Sequence, residues 1–167
     1  MGGDGAVGNR KRGRSVIVQT LVLLLALAGF IDAGYFTLAY YGRIQRARWV
    51  PEILCASERS SCVTVVKTPY ARVFGVPNSL LGILYYAAII WWATLGSPVG
   101  VQFDIAGGYH VLRIRGLLVL ASIVTVGLGA YLVYALRRRL GVNCPLCYTA
   151  HAINLALMVL LIVNGRG

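Results

Sequence analysis

Four stretches of the 167-residue chain are apolar for long enough to cross a bilayer, and polar or basic segments separate them. A spanning helix needs about 20 mostly apolar residues at 1.5 Å each. The pattern predicts helices at about 16–41, 79–95, 116–136 and 144–163. Backbone groups in lipid must bond internally, so helices are the structure open to such runs. The first run reaches Tyr41 with Asp32 as its one acidic interruption. That is longer than the roughly 7–15 residues of a signal-peptide core, so it reads as an uncleaved span. Tyr40 with Tyr41, and Trp91 with Trp92, fit aromatic belts near helix ends. The expected fold class is an all-α membrane protein, a four-transmembrane-helix bundle.

Composition supports this. Hydrophobic residues make up 58% of the chain, against about 45–50% in soluble domains, and the mean hydropathy is +0.73. The net charge is +11, from 16 Lys and Arg against 5 Asp and Glu. The cations fall between the apolar runs, which points to topology and lipid headgroups and away from nucleic acid. Residues 1–14 are Gly-rich, end in Arg10, Lys11, Arg12 and Arg14, and read as a disordered basic tail. Residues 15–167 leave room for one compact membrane domain and no second soluble module. The linker 42–78 carries two cysteines and a Pro- and Gly-containing stretch expected to pack on the bundle. The linker 97–115 carries none, and no role follows from its sequence.

The fourth span is short. Tyr148 to Val163 covers 16 residues, and counting from Cys144 gives 20, or about 30 Å. The Cys144–Pro145–Leu146–Cys147 motif therefore forms the first turn, at the membrane boundary. Cys55 and Cys62 follow the first span and Cys144 and Cys147 precede the fourth, so all four thiols share one side.

A CxxC pair at a helix start has a clear chemistry. Positions i and i+3 are neighbours on a helix, and a disulfide needs Cα atoms about 4.4–6.8 Å apart. Free N–H groups and the helix dipole favour thiolate, the form that exchanges disulfides. Pro145 is tolerated in the first turn. Three readings stand: a redox centre, a structural zinc site and passive staples. The six-residue gap between Cys55 and Cys62 fits zinc knuckles loosely, and no metal ligand is assigned. A dithiol at the lipid boundary also suggests a lipophilic electron acceptor such as a quinone. His151 and Asn154 follow Cys147 at i+4 and i+7, on its face of the helix. Polar side chains inside a membrane are costly and often functional, though both could simply bond between helices. Asp32 is either a proton carrier or a polar contact.

At these residues the chain resembles the vitamin K epoxide reductase family in its single-domain prokaryotic form. The resemblance rests on Cys55, the stretch from Cys62 to Gly82, and the stretch from Cys144 to Asn154. It implies a four-helix bundle around a quinone of menaquinone, ubiquinone or vitamin K type, capped by the cysteine-bearing loop. By that resemblance Cys55 exchanges with a thioredoxin-like redox partner, Cys62 passes electrons to the Cys144–Cys147 disulfide, and Cys147 reduces the quinone. Thr68 and Asn78 match the family's quinone-binding positions, where they would supply donors to the quinone oxygens. Vertebrate members carry Tyr where this chain has His151. Some bacterial members carry a fused thioredoxin-like domain, which this sequence lacks, so a separate partner is expected. The implied activity is that of a membrane thiol–quinone oxidoreductase supporting disulfide formation. The alternative is a non-enzymatic four-helix membrane protein with structural disulfides or zinc.

Orientation is contested by the charges. An oxidising compartment and the N-terminal basic cluster place the cysteine face outside the cytoplasm. The overall count opposes this, with nine cations on the cysteine side against seven on the other. The expectation is an integral multi-pass membrane protein with an extracytoplasmic active face, a cytoplasmic face being the alternative.

Overall fold

The structure, a computed structural model, describes residues 4–43, 65–73, 75–95, 100–105 and 108–163, with side chains at 16–43, 65–73, 75–95 and 114–163. Cys55 and Cys62 lie outside the described residues, and so do residues 44–64 of the loop expected to cap the pocket. The order is α1 (Asp4–Tyr40), β1 (Arg72–Val73), β2 (Val76–Pro77), α2 (Asn78–Leu95), β3 (Gly100–Ile105), β4 (Gly108–Arg113), α3 (Ile114–Ala135) and α4 (Pro145–Val163).

Four helical segments are long and apolar enough to span a bilayer: Val16–Tyr40, Asn78–Leu95, Ile114–Leu140 and Pro145–Val163. They fall within a few residues of the predicted bounds, and the protein is an all-α membrane bundle. Three local features differ from expectation. First, α1 begins at Asp4, inside the stretch read as a disordered tail. Arg and Lys are strong helix formers and no proline stops propagation there. Second, α3 continues into a π-helical turn over Leu136–Leu140, closed by Gly141 at φ 61°. Gly141 caps the turn in the left-handed region, which glycine adopts without a Cβ penalty. Third, the 97–115 linker contains an antiparallel hairpin, Gly100 pairing with Arg113 and Ile105 with Gly108. It joins α2 to α3 at the end away from the CxxC motif.

Lipid is the outer solvent, so large apolar side chains face outward along every span, among them Leu24, Ile31, Leu84, Trp91, Leu120 and Val159. The interior mixes large and small apolar groups. One cluster joins Val22, Ala26 and Ala33 of α1, Tyr86, Ile89 and Ala93 of α2, Leu118 of α3, and Leu157 and Leu161 of α4. A second cluster lies at the cysteine end, where Tyr35, Phe36 and Ala39 pack with Val66 and Cys144. Polar ties stitch the helices. Gln19 Nε2 donates to the Ala93 carbonyl at 2.6 Å, Thr37 Oγ1 donates to Ser79 Oγ at 3.0 Å, and Tyr85 and Ser122 share a 2.8 Å bond. Such bonds hold helices together in lipid, where apolar burial gives little preference.

Helices α1 and α2 pack closely along their lengths, as do α3 and α4, and α1 also lies on α4, whereas α2 and α3 touch sparsely. Close approach of α1 and α2 depends on Gly29. A Cβ there would collide with the ring of Tyr86. The Tyr86 hydroxyl then donates to Asn154 Oδ1 on α4 at 2.6 Å.

Gly29→Ala is therefore expected to destabilise the bundle by about 1–3 kcal/mol, the usual range for overpacking. Gly34→Ala, on the same helix with nothing within 4 Å of its added Cβ, should leave stability unchanged or raise it slightly. Thermal unfolding of the two variants in detergent checks this, and equal melting temperatures would contradict it.

Candidate functional site

The site begins at the start of α4. Cys144 immediately precedes the helix and is fully buried, Pro145 opens it, and Cys147 sits in the first turn. Pro145 sacrifices only an N–H that no preceding turn would accept. The Cys144 side chain acts as a cap: its Sγ accepts the backbone N–H of Cys147 at 3.4 Å. The Cys144 carbonyl accepts the N–H of Tyr148 at 3.2 Å, the first bond of the helix. The Cys147 thiol points at Cys144 Sγ, 2.6 Å away. The two sulfurs are thus placed to make and break a bond with each other.

Their environments differ. The thiol hydrogen bond from Cys147 holds the Cys144 thiol below its ordinary pKa, and backbone N–H groups of Cys147 and Leu146 act in the same direction. Burial and the nearby Asp32 carboxyl act against them, and the hydrogen bonds win. The thiolate-favouring effect expected of a helix N-terminus therefore falls on the buried Cys144. Arg137 braces the same turn from the end of α3. Its guanidinium lies 5.3 Å from the centre of the Tyr148 ring, and the Tyr148 hydroxyl donates to Asn143 Oδ1 at 3.1 Å.

Cys147 faces a cavity of about 750 Å³, within the range of small-molecule sites. Its walls are mostly aliphatic, from α2 and α3, and it fills the space where those helices fail to meet. Leu84, Leu120 and Val124 line it and are also exposed on the outer surface of the bundle, so the cavity opens toward lipid.

The structure brings five of the eight sequence-predicted site residues to this cavity: Cys147, Thr68, Asn78, His151 and Asn154. Cys144 stands directly behind Cys147, and Cys55 and Cys62 lie outside the described residues. Each polar group arrives by a different route. Thr68 precedes a short 3₁₀ turn, Pro69–Ala71, and its hydroxyl donates to the Val65 carbonyl at 2.7 Å. Its lone pairs are left for the cavity, and donating to a ligand would require releasing Val65. Asn78 opens α2 directly after the hairpin of β1 and β2, whose turn uses Gly75 at φ 83°. Asn154 gives its oxygen to Tyr86, which leaves its amide N–H groups as donors. His151 Nδ1 is buried against α3 without a hydrogen-bond partner among the described residues. A Cβ on Gly129 would lie 2.7 Å from that nitrogen, so the ring fits only because position 129 has no side chain.

The spacing from Cys147 to His151 and Asn154 does put all three on the cavity side. Tyr86, Gly29 and Gly129 were not singled out from sequence. A usable signal existed for Tyr86, since residues 82, 86, 89 and 93 form one stripe at helical spacing. The two glycines gave none, because an apolar span tolerates glycine on any face. Among the described residues, no group of three or more His, Cys, Asp or Glu is placed to hold a metal ion.

The asymmetry of the thiols is testable. With Cys55 and Cys62 replaced by Ser, ultraviolet thiolate absorbance should show Cys144 ionising below the pH of an ordinary thiol. Adding Cys147→Ala removes the thiol donor and should move that midpoint upward. A midpoint that stays put would mean that the Cys147 thiol does not stabilise the Cys144 thiolate.

Comparison with known proteins bears on what such a dithiol beside a lipid-facing cavity does. No curated protein matches the chain. The sequence pattern of the vitamin K epoxide reductase family matches residues 20–162, which runs from the first span to the end of the fourth. That family is one of membrane oxidoreductases that use a quinone or vitamin K as redox substrate. By a match over nearly its whole length, this integral membrane protein belongs to the vitamin K epoxide reductase family.

Proposed function

We propose that the protein is a membrane thiol–quinone oxidoreductase that oxidises a thioredoxin-like partner and so supports disulfide formation. One observation carries the reading: the Cys147 thiol, in bonding distance of Cys144, faces a largely apolar cavity that opens to lipid. The residues present suit a quinone. Aliphatic walls accept an apolar ring and tail. Among the polar side chains that also line it are Thr68, Asn78, His151 and Asn154. The His151 ring stands among them, its Nδ1 packed against α3 without a hydrogen-bond partner among the described residues. A quinone bound there takes two electrons and two protons and leaves as hydroquinone.

The chain's own residues then divide the work. Asn78 and Asn154 offer amide donors to oxygens on which charge develops, and donors fixed in place stabilise such charge more than water does. The Tyr86 bond fixes the orientation of Asn154. Cys147 faces the acceptor, and Cys144, its thiolate favoured, closes the disulfide behind it. Cys55 and Cys62 would reload the pair by exchange with a partner dithiol, a role that rests on the family resemblance. The exchange conserves electrons: each disulfide reduced at one step is matched by one formed at the previous dithiol. We read the cysteine face as extracytoplasmic, supported by the N-terminal basic cluster and by the redox chemistry of that compartment.

Two experiments follow. Cys147→Ser should abolish reduction of a short-chain ubiquinone by any thiol donor. Cys55→Ser should block turnover with a reduced thioredoxin-like protein while sparing turnover with dithiothreitol. Retained quinone reduction in the Cys147 variant, or zinc bound at one equivalent in the purified protein, would favour a structural role for the cysteines. Separately, Gly129→Ala should push His151 out of place and weaken quinone binding, without altering Cys144 ionisation. Quinone titration followed by intrinsic fluorescence reads the first effect and thiolate absorbance the second.

A further inference from the structure

The roles above leave the cavity's carboxyl group without a task. Asp32 lies within the membrane-spanning part of α1 and lines the same cavity as Cys147. Among the described lining residues it is the acidic one, and none of them is Lys or Arg. A carboxyl inside a membrane span is expensive and commonly marks a proton pathway. A charge half-buried in a span, with no counter-cation among the described lining residues, is costlier still, so a purely structural Asp32 would be a poor choice where Asn would serve. Asp32 is also electrostatically coupled to the redox pair, since its charge disfavours the Cys144 thiolate.

The reaction needs what such a group supplies. Oxidising the Cys144–Cys147 dithiol to a disulfide releases two electrons and two protons, and the quinone takes up both on becoming hydroquinone. The cavity walls that α3 contributes are without titratable side chains among the described residues, and aliphatic walls pass no protons. The titratable groups around Asp32 are Tyr35 on its own helix, Tyr70 before β1, Tyr85 and Tyr86 on α2, and Cys144, Cys147 and His151 at α4. The Tyr86 hydroxyl is committed to Asn154 and that of Tyr85 to Ser122.

We propose that Asp32 is the proton carrier of the cavity: its carboxyl accepts one proton from the oxidising dithiol and delivers it to the acceptor bound beside Cys147. This rests on the thiol–quinone reading. Asp32 ends each cycle as it began, with one proton received and one passed on. The second thiol proton reaches the other oxygen from the α4 side, where His151 stands. Opposition between the two charges couples the steps: as Asp32 takes up a proton, it ceases to oppose the thiolate at Cys144.

The test uses the full-length protein in detergent, with dithiothreitol as reductant and a short-chain ubiquinone as acceptor. Asp32→Asn keeps the size and polarity but carries no proton. It should lower kcat roughly a hundredfold, the scale of general acid–base catalysis, and leave quinone binding within about threefold, less than the tenfold worth of one hydrogen bond. Asp32→Glu should retain most of the rate. A second readout needs no quinone: in the variant lacking Cys55 and Cys62, Asp32→Asn should move Cys144 thiolate formation to lower pH. If Asp32→Asn does not fold, Asp32→Ser carries the same expectations. Wild-type turnover by Asp32→Asn, equal losses of binding and turnover, or an unmoved Cys144 titration would each overturn the assignment. A wild-type protein that fails to reduce the quinone would instead sink the underlying oxidoreductase reading.

Discussion

The contact between the Tyr86 ring and Gly29 sets the geometry on which the site depends. It draws α2 onto α1, and the tyrosine hydroxyl then reaches across to Asn154 on α4. One side chain thus ties three helices together near the middle of the bundle. With α2 committed to α1 and α3 committed to α4, the space between α2 and α3 stays open. The cavity is the remainder left by two tight helix pairs, and the tie that keeps them tight also orients one of its polar walls. In a bilayer this arrangement cannot be bought by hydrophobic burial, since lipid tails solvate leucine as well as a core does. Close packing at glycine and a few hydrogen bonds must do it.

The CxxC motif adds a second dependence. Cys144 is both a redox sulfur and the acceptor that caps the first turn of α4. Its lowered pKa and its structural role come from the same donors, the Cys147 thiol and the adjacent backbone N–H groups. Chemistry at that sulfur is therefore felt at the start of the helix that carries His151 and Asn154. Arg137, at the π-helical end of α3, buttresses the turn through the Tyr148 ring, and all three arginines of that end are exposed.

Much of this was legible from the amino-acid order. Hydropathy located four spans, because length and composition decide membrane helices more firmly than propensity decides soluble ones. Residue counting put the start of α4 at the CxxC motif, and the i, i+4, i+7 spacing put His151 and Asn154 beside Cys147. Thr68 and Asn78 were found only through family resemblance, since they reach the cavity through a hairpin whose fold no periodicity announces. For residues 4–14, charge and glycine content suggest disorder, whereas α1 is helix from Asp4. The 100–113 hairpin was equally unreadable. Helix pairing was hidden for a deeper reason. In lipid both the buried and the exposed faces of a span are apolar, so the pattern that betrays a core-facing stripe in a soluble helix is absent.

The exposed rim of the cavity, at Leu84, Leu120 and Val124, has a consequence for how any ligand is counted. A molecule that enters between α2 and α3 arrives from the plane of the membrane, so the quantity governing occupancy is its mole fraction among the lipids. An affinity expressed in bulk molarity would change with the amount of detergent or lipid present, although the protein had not changed at all. For a site walled partly by its own solvent, the bilayer is a reservoir and a term in the binding constant at once.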